Sequence, residues 1–203
     1  MINLQRFFIP GYRAVYIISA ASIAGTLIFA AGNEWLYRLL TDRWTLQYLL
    51  LSPFMHAGLM HMILNIMGLH FIGGQMLLRL IGEKWFLLLF AASTFAGTLL
   101  NNFLSDAPAI GISAAVLGML SCALYPYGRA PMKFLFIHDV LRLPPFPLYG
   151  VAAFIVMLDI AGVLLGWGYF AHWAHLGGFA AGGVVGWLIF RRRPRRRVVV
   201  TLH

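Results

Sequence analysis

Along this chain the apolar residues come in long runs, and the polar residues that interrupt them are few and unevenly placed. Six runs stand out, at about 14–31, 58–78, 85–103, 112–127, 146–166 and 172–190. A helix rises ~1.5 Å per residue and needs roughly 20 apolar residues to cross a hydrocarbon core, so the pattern predicts six membrane-spanning helices. The stretch 32–57 differs: "GNEWLYRLLTDRWTLQYLLLSPFM" (32–55) mixes Trp, Tyr and Leu with scattered charges. That is the composition of a segment lying in the membrane interface. A retained first span is expected rather than a cleaved signal, because a cut after Ala31 puts Phe29 where a small residue is wanted.

The polar interruptions carry the chemistry. An unpaired polar group costs several kcal/mol in hydrocarbon, so each must face protein or a water-filled cavity. In "HAGLMHMILN" (56–65), His61 and Asn65 lie four apart and share a helix face. "PAIGISAAVLGML" (108–120) opens the fourth span with Ser113 in its first turn, where backbone N–H groups are free to bind an anion. "AHWAHLGGFAAGGVVGW" (171–187) opens the sixth with His172 and His175. Small residues recur every four positions at Gly178, Gly182 and Gly186 in span six and at Ala114, Gly118 and Cys122 in span four. Such stripes let helix backbones approach closely. If the two face each other, Ser113 and His175 meet as a nucleophile–base pair. The Ser113 backbone N–H, the Asn65 amide and the His61 ring are suitable donors for a developing oxyanion. Asp159, the one acid inside a span, sits near the middle of span five with no evident link to His175, so the expected unit is a dyad.

Composition and charge fix the setting. The 203 residues are 61% hydrophobic and 10% charged, against roughly 25% charged in a soluble domain. Placing the N-terminus in the cytoplasm puts thirteen of the fifteen Lys and Arg residues inside, leaving Arg38 and Arg43 outside. That asymmetry orients the chain with both termini cytoplasmic. It divides into a cytoplasmic segment 1–13, a membrane domain 14–190 and a basic tail 191–203, and a bacterial-type inner membrane is the suggested location. "RRRPRRR" (191–197) accounts for much of the net charge of +9 as a lipid-facing anchor, and no nucleic-acid motif accompanies it. The single Cys122 excludes an internal disulfide and reads as packing.

Together these residues resemble the rhomboid intramembrane serine proteases: H-x4-H-x3-N (His56, His61, Asn65), G-x-S (Gly111, Ser113) and A-H-x-G-G (Ala174–Gly178). The resemblance implies an all-α, six-helix membrane bundle with a half-embedded first loop, Ser113 as nucleophile, His175 as base, and His61, Asn65 and the Ser113 N–H at the oxyanion. His56, Gly111, Ala114, Leu117 and His172 would shape the substrate cleft. Span five and a cap loop at about 167–171 would gate it. The implied substrates are single-span membrane proteins cut near the outer face, at small residues, with no cofactor or metal. Three positions depart from the family pattern: Ala114 stands where glycine is common, Leu117 where an aromatic is common, and Leu78 where a glutamate is common. The first two imply a slow protease.

Other readings keep part of this picture. An inactive rhomboid-like protein that binds membrane-protein clients retains the fold. A metal or haem protein is invited by seven histidines. However, His61 and His70 face different sides of span two, and the sequence offers no carboxylate or thiol at the level of the others. A proton-linked transporter using Asp159 lacks any visible inverted repeat. Oligomeric state is left open.

Overall fold

A computed structural model of the chain describes residues 11–32, 34, 38, 40, 42–132, 145–168 and 171–191. Arg6, Lys133, Arg142, residues 169–170 of the cap loop and the tail from 192 onward lie outside the described residues.

The expected spans appear as helices: α1 (Arg13–Ala30), α3 (Leu59–Ile81), α4 (Glu83–Leu104), α5 (Ser113–Tyr127), α6 (Leu148–Leu165) and α7 (His172–Phe190). Between α1 and α3 lies the short helix α2 (Leu46–Leu51), capped by Thr45, whose hydroxyl accepts from the Tyr48 N–H. Inside α3 the hydrogen bonding switches to the wider π pattern over Leu69–Leu78. A two-residue strand pair, Pro131–Met132 with Phe146–Pro147, leads into α6.

Five of these helices are long and apolar enough to cross a membrane; α5 is apolar but has only 15 residues. At ~1.5 Å per residue it is about 22 Å long, short of a ~30 Å core, so at least one of its ends lies inside the hydrocarbon slab. Residues 105–112 precede it, and wherever they leave water their polar backbone needs partners within the protein. They have them. Arg43 Nη1 donates to the Ser105 and Ala107 carbonyls (2.6 and 3.3 Å). Asn101 donates to the Ala107 carbonyl (2.8 Å), and Asn102 to the Arg43 carbonyl (2.6 Å). The Tyr48 hydroxyl donates to the Ala109 carbonyl (3.0 Å) and accepts from its N–H (2.8 Å). The interfacial segment between α1 and α3 is therefore a brace for the loop that carries the serine.

The centre of the bundle is α7 packed between α4 and α5, and glycine makes this possible. A β-carbon at Gly178 would overlap the Ala114 backbone, one at Gly182 would overlap the Gly118 backbone, and one at Gly186 would lie 2.8 Å from the Tyr125 ring and 3.0 Å from the Cys122 Cα. The two small-residue stripes face each other as the spacing predicts. A third contributor, α4, brings Gly97 against the Ala174 carbonyl and the Ala114 methyl. By contrast α6 is peripheral. Its outer face, including Phe154, Met157, Leu164 and Leu165, is exposed, whereas Asp159 and Gly162 on the opposite face are buried.

Candidate active site

Ser113 is the first residue of α5, after Gly111 at φ +93°, a conformation that favours glycine, whose N–H donates to the Ser52 carbonyl at 3.0 Å. A serine at a helix start commonly serves as a cap. Here no side chain caps α5, and the Ser113 Oγ lies 2.9 Å from His175 Nε2. Helix α7 begins three residues before His175, and the crossing at Gly178 sets the two helix starts side by side.

The other face of the His175 ring departs from the expected dyad. His175 Nδ1 lies 2.8 Å from Asp159 Oδ1, and His172 Nδ1 lies 2.7 Å from the same oxygen. A carboxylate that carries no proton only accepts, and in that arrangement both Nδ1 atoms carry hydrogen and donate to it. That leaves the His175 Nε2 lone pair facing the serine hydroxyl, the tautomer a general base requires. Ser113, His175 and Asp159 thus form one hydrogen-bonded line across three helices. Asp159 is 4% exposed and His172 8%, while Ser113, Leu117 and His175 are half-buried. Ser113 and Leu117, one turn apart, therefore share the less buried side of α5.

The link to Asp159 escaped the sequence because it joins residues 16 apart on different helices with no motif between them. The available signal was its status as the sole acid within a span, which marks a functional candidate without naming its partner. The brace residues Arg43, Tyr48, Asn101 and Asn102 were also missed; Tyr48 and Arg43 read only as interfacial composition.

The remaining candidates fall in distinct places. The His61 ring lies against Gly111, where a β-carbon would sit 3.1 Å from its Nε2. It is therefore within reach of the serine loop. Asn65 is buried, and its amide donates to the His61 carbonyl one turn back at 3.0 Å, leaving one amide hydrogen uncommitted to that bond. His56, expected to shape the cleft, also lies against Gly111, where a β-carbon would sit 3.1 Å from its Cδ2, and it is tied to α1 as well. It is 1% exposed, its Nδ1 lies 2.9 Å from Thr26 Oγ1 of α1, and its ring meets His61 edge-on at 5.0 Å. Burial, with His61 beside it, pushes its pKa down to about 4. Ala114, also expected to shape the cleft, sits at the helix crossing. It is buried, with its methyl toward Gly97 and its backbone under Gly178. The helix rotation that turns Ser113 to the cleft turns its neighbour into the crossing. Leu78 is buried in the main apolar core. His172, grouped with the cleft by resemblance, is a buried partner of Asp159. Asp159, His172 and His175 also present one potential metal-ligand atom each, all within 4.8 Å of one another. The carboxylate that the sequence did not supply at the level of these histidines is therefore present.

The model of the rhomboid domain matches residues 37–192. The mitochondrial rhomboid protein 1 of Saccharomyces cerevisiae is 32% identical over 157 residues, which cover 72% of this chain and 42% of that protein. The human presenilin-associated rhomboid-like protein, also mitochondrial, is 31% identical over 141 residues, covering 64% of this chain and 34% of that protein. The Arabidopsis thaliana RHOMBOID-like protein 1 is 30% identical over 145 residues, covering 70% and 33%. The chain thus spans about two fifths of the yeast protein's length and about one third of the other two. With the match running from the interfacial segment through α7, the chain belongs to the rhomboid family, and it is a multi-pass integral membrane protein. These relatives are eukaryotic and two are mitochondrial by name, so they lend no support to a bacterial inner membrane.

Proposed function

We propose that this protein is an intramembrane serine endopeptidase that cuts membrane-spanning segments of other proteins. The observation that carries this reading is the line from Ser113 Oγ through the His175 ring to Asp159, at 2.9 and 2.8 Å. As the serine oxygen attacks a peptide carbonyl, His175 Nε2 takes its proton and Asp159 steadies the resulting imidazolium. His175 then gives that proton to the departing amine, leaving an acyl-enzyme on Ser113. Water, deprotonated by the same nitrogen, hydrolyses the ester and regenerates the hydroxyl. The carbonyl oxygen becomes negative in each half. The Ser113 backbone N–H, which has no acceptor within its own helix, the His61 ring and the free Asn65 amide hydrogen are the donors for it.

The short α5 supports a site at or below the membrane surface, with the half-exposed Ser113, Leu117 and His175 as its floor. A substrate helix must unwind to present an extended carbonyl there, which fits segments carrying small, helix-weakening residues near the cut. Both termini lie on the arginine-rich, cytoplasm-like side, and cleavage occurs toward the opposite face.

The test is labelling of purified protein with a serine-directed fluorophosphonate, together with cleavage of a model single-span substrate. Wild type should label and cleave, whereas Ser113→Ala and His175→Ala should do neither while melting normally. Normal cleavage by Ser113→Ala overturns the assignment. A wild type that neither labels nor cleaves, yet retains substrate in pull-downs, would identify a client-binding protein instead.

A further inference from the structure

The cluster behind His175 contains more than a proton relay needs. One carboxylate and one imidazole suffice to orient a base, yet Asp159 Oδ1 meets two Nδ1 atoms, of His172 and His175, at 2.7 and 2.8 Å. The two histidines are three apart at the start of α7 and so share a face, while Asp159 comes from α6 opposite. Gly162, three residues after Asp159, leaves the space that the His172 ring occupies, since any β-carbon there would overlap the ring. The second carboxylate oxygen, Asp159 Oδ2, is fully buried and has no hydrogen-bond partner among the described residues. A buried carboxylate oxygen is costly inside a membrane protein without a donor or cation beside it.

Two imidazole nitrogens and a carboxylate are the donor set of zinc and similar borderline transition ions; calcium and magnesium want oxygen ligands throughout. One ligand atom from each residue falls within a 4.8 Å cluster, a separation small adjustments can close around one ion. We propose that Asp159, His172 and His175 form a binding site for a divalent transition-metal ion of the zinc type, and that its occupancy switches the serine off.

The switch follows from proton bookkeeping on the two rings. A neutral imidazole carries a single N–H. With a metal bonded to Nδ1 of both His172 and His175, the two protons those atoms held are released and one from solvent is carried on each Nε2, so both rings remain neutral and no net proton is lost. His175 then presents an N–H to Ser113 Oγ in place of a lone pair and cannot take the serine proton. Asp159 exchanges two N–H donors for the cation, and Oδ2 gains a partner. Water completes the coordination. The ion therefore competes with catalysis. The binding half of the proposal stands apart from the protease reading, whereas the inhibitory half rests on it.

The experiment uses full-length protein in detergent, stripped with chelator. Zinc binding to Ser113→Ala is measured by calorimetry and metal content, and cobalt(II) substitution is followed by visible absorption. One equivalent should bind, with tetrahedral-type cobalt bands. His172→Gln, His172→Phe and Asp159→Asn should each weaken binding at least tenfold, and His70→Gln should not. Thermal melting of every variant identifies any that fails to fold, and the two His172 variants back each other. Zinc should inhibit wild-type cleavage, and chelator should restore it. Absence of stoichiometric zinc on Ser113→Ala, or equal binding by the folded His172 and Asp159 variants, overturns the site. Binding without inhibition of an active wild type overturns the switch. Stoichiometric binding by a wild type that never cleaves upholds the site and refutes the protease reading.

Discussion

At the scale of single residues, Asp159 carries the sharpest expectation. Replacing it with asparagine keeps size and polarity but offers His175 an amide that can itself donate, which allows the wrong tautomer toward Ser113. Asp159→Asn should therefore lower kcat about 10³–10⁴-fold with little change in KM, the scale seen when a serine-protease triad loses its carboxylate. Steady-state kinetics on a transmembrane substrate measure this, and wild-type turnover would mean that Ser113 and His175 act as a dyad. His56 makes a different expectation. Its folded-state pKa of about 4 lies below the ordinary 6.5, so between those values the unfolded chain holds the extra proton. Acid then favours unfolding, and stability should fall as pH drops from 6.5 toward 4. His56→Gln should flatten the pH dependence of the melting temperature in that window. An unchanged slope would show that His56 does not set it.

At the scale of helices, the α5–α7 crossing governs how closely Ser113 and His175 approach. A single methyl at Gly182 would overlap the Gly118 backbone, and a backbone cannot step aside as a side chain can. Gly182→Ala should destabilise the protein by about 1–3 kcal/mol or more and lower activity by about 10²-fold, the cost of ~1 Å of misplacement. Melting temperature and kcat measure the two effects, and a variant as stable and active as wild type would mean that the helices have room to spare. The same crossing explains Ala114. Its methyl lies against Gly97 in a three-helix contact, so it is a packing residue, and its difference from the family's usual glycine concerns how α4 seats. Leu117 alone remains as a departure on the less buried side of α5, one turn from Ser113.

At the scale of the whole molecule, charge and shape divide the work. The basic residues lie overwhelmingly on one side of the predicted topology, a bias expected to set one orientation. Reporters fused to the two termini should both report the cytoplasm-like side, and one inserted near Arg38 the opposite side. Opposite readings at the two ends would refute an even number of crossings. Within that orientation α6 is the least enclosed span, yet it carries the carboxylate of the site. Any displacement of α6 separates Asp159 from His175, so alignment of the base depends on a helix that the rest of the bundle grips weakly.

Apolar runs, small-residue stripes and the shared helix face of His61 and Asn65 were legible in the sequence because each is local or periodic. A span needs only length and hydropathy, a helix face only a spacing of three or four, and two glycine stripes of equal spacing can mesh in few ways. The span limits accordingly moved by at most three residues in the structure. What tertiary structure alone decided was which buried polar atoms meet. Asp159 joins His175 because α6 is rotated to bring one face against α7, and no pattern within α6 records that rotation. Ala114 became a packing residue for the same reason. A helix sequence states which residues share a face, but the direction that face points is set by the sum of contacts with its neighbours.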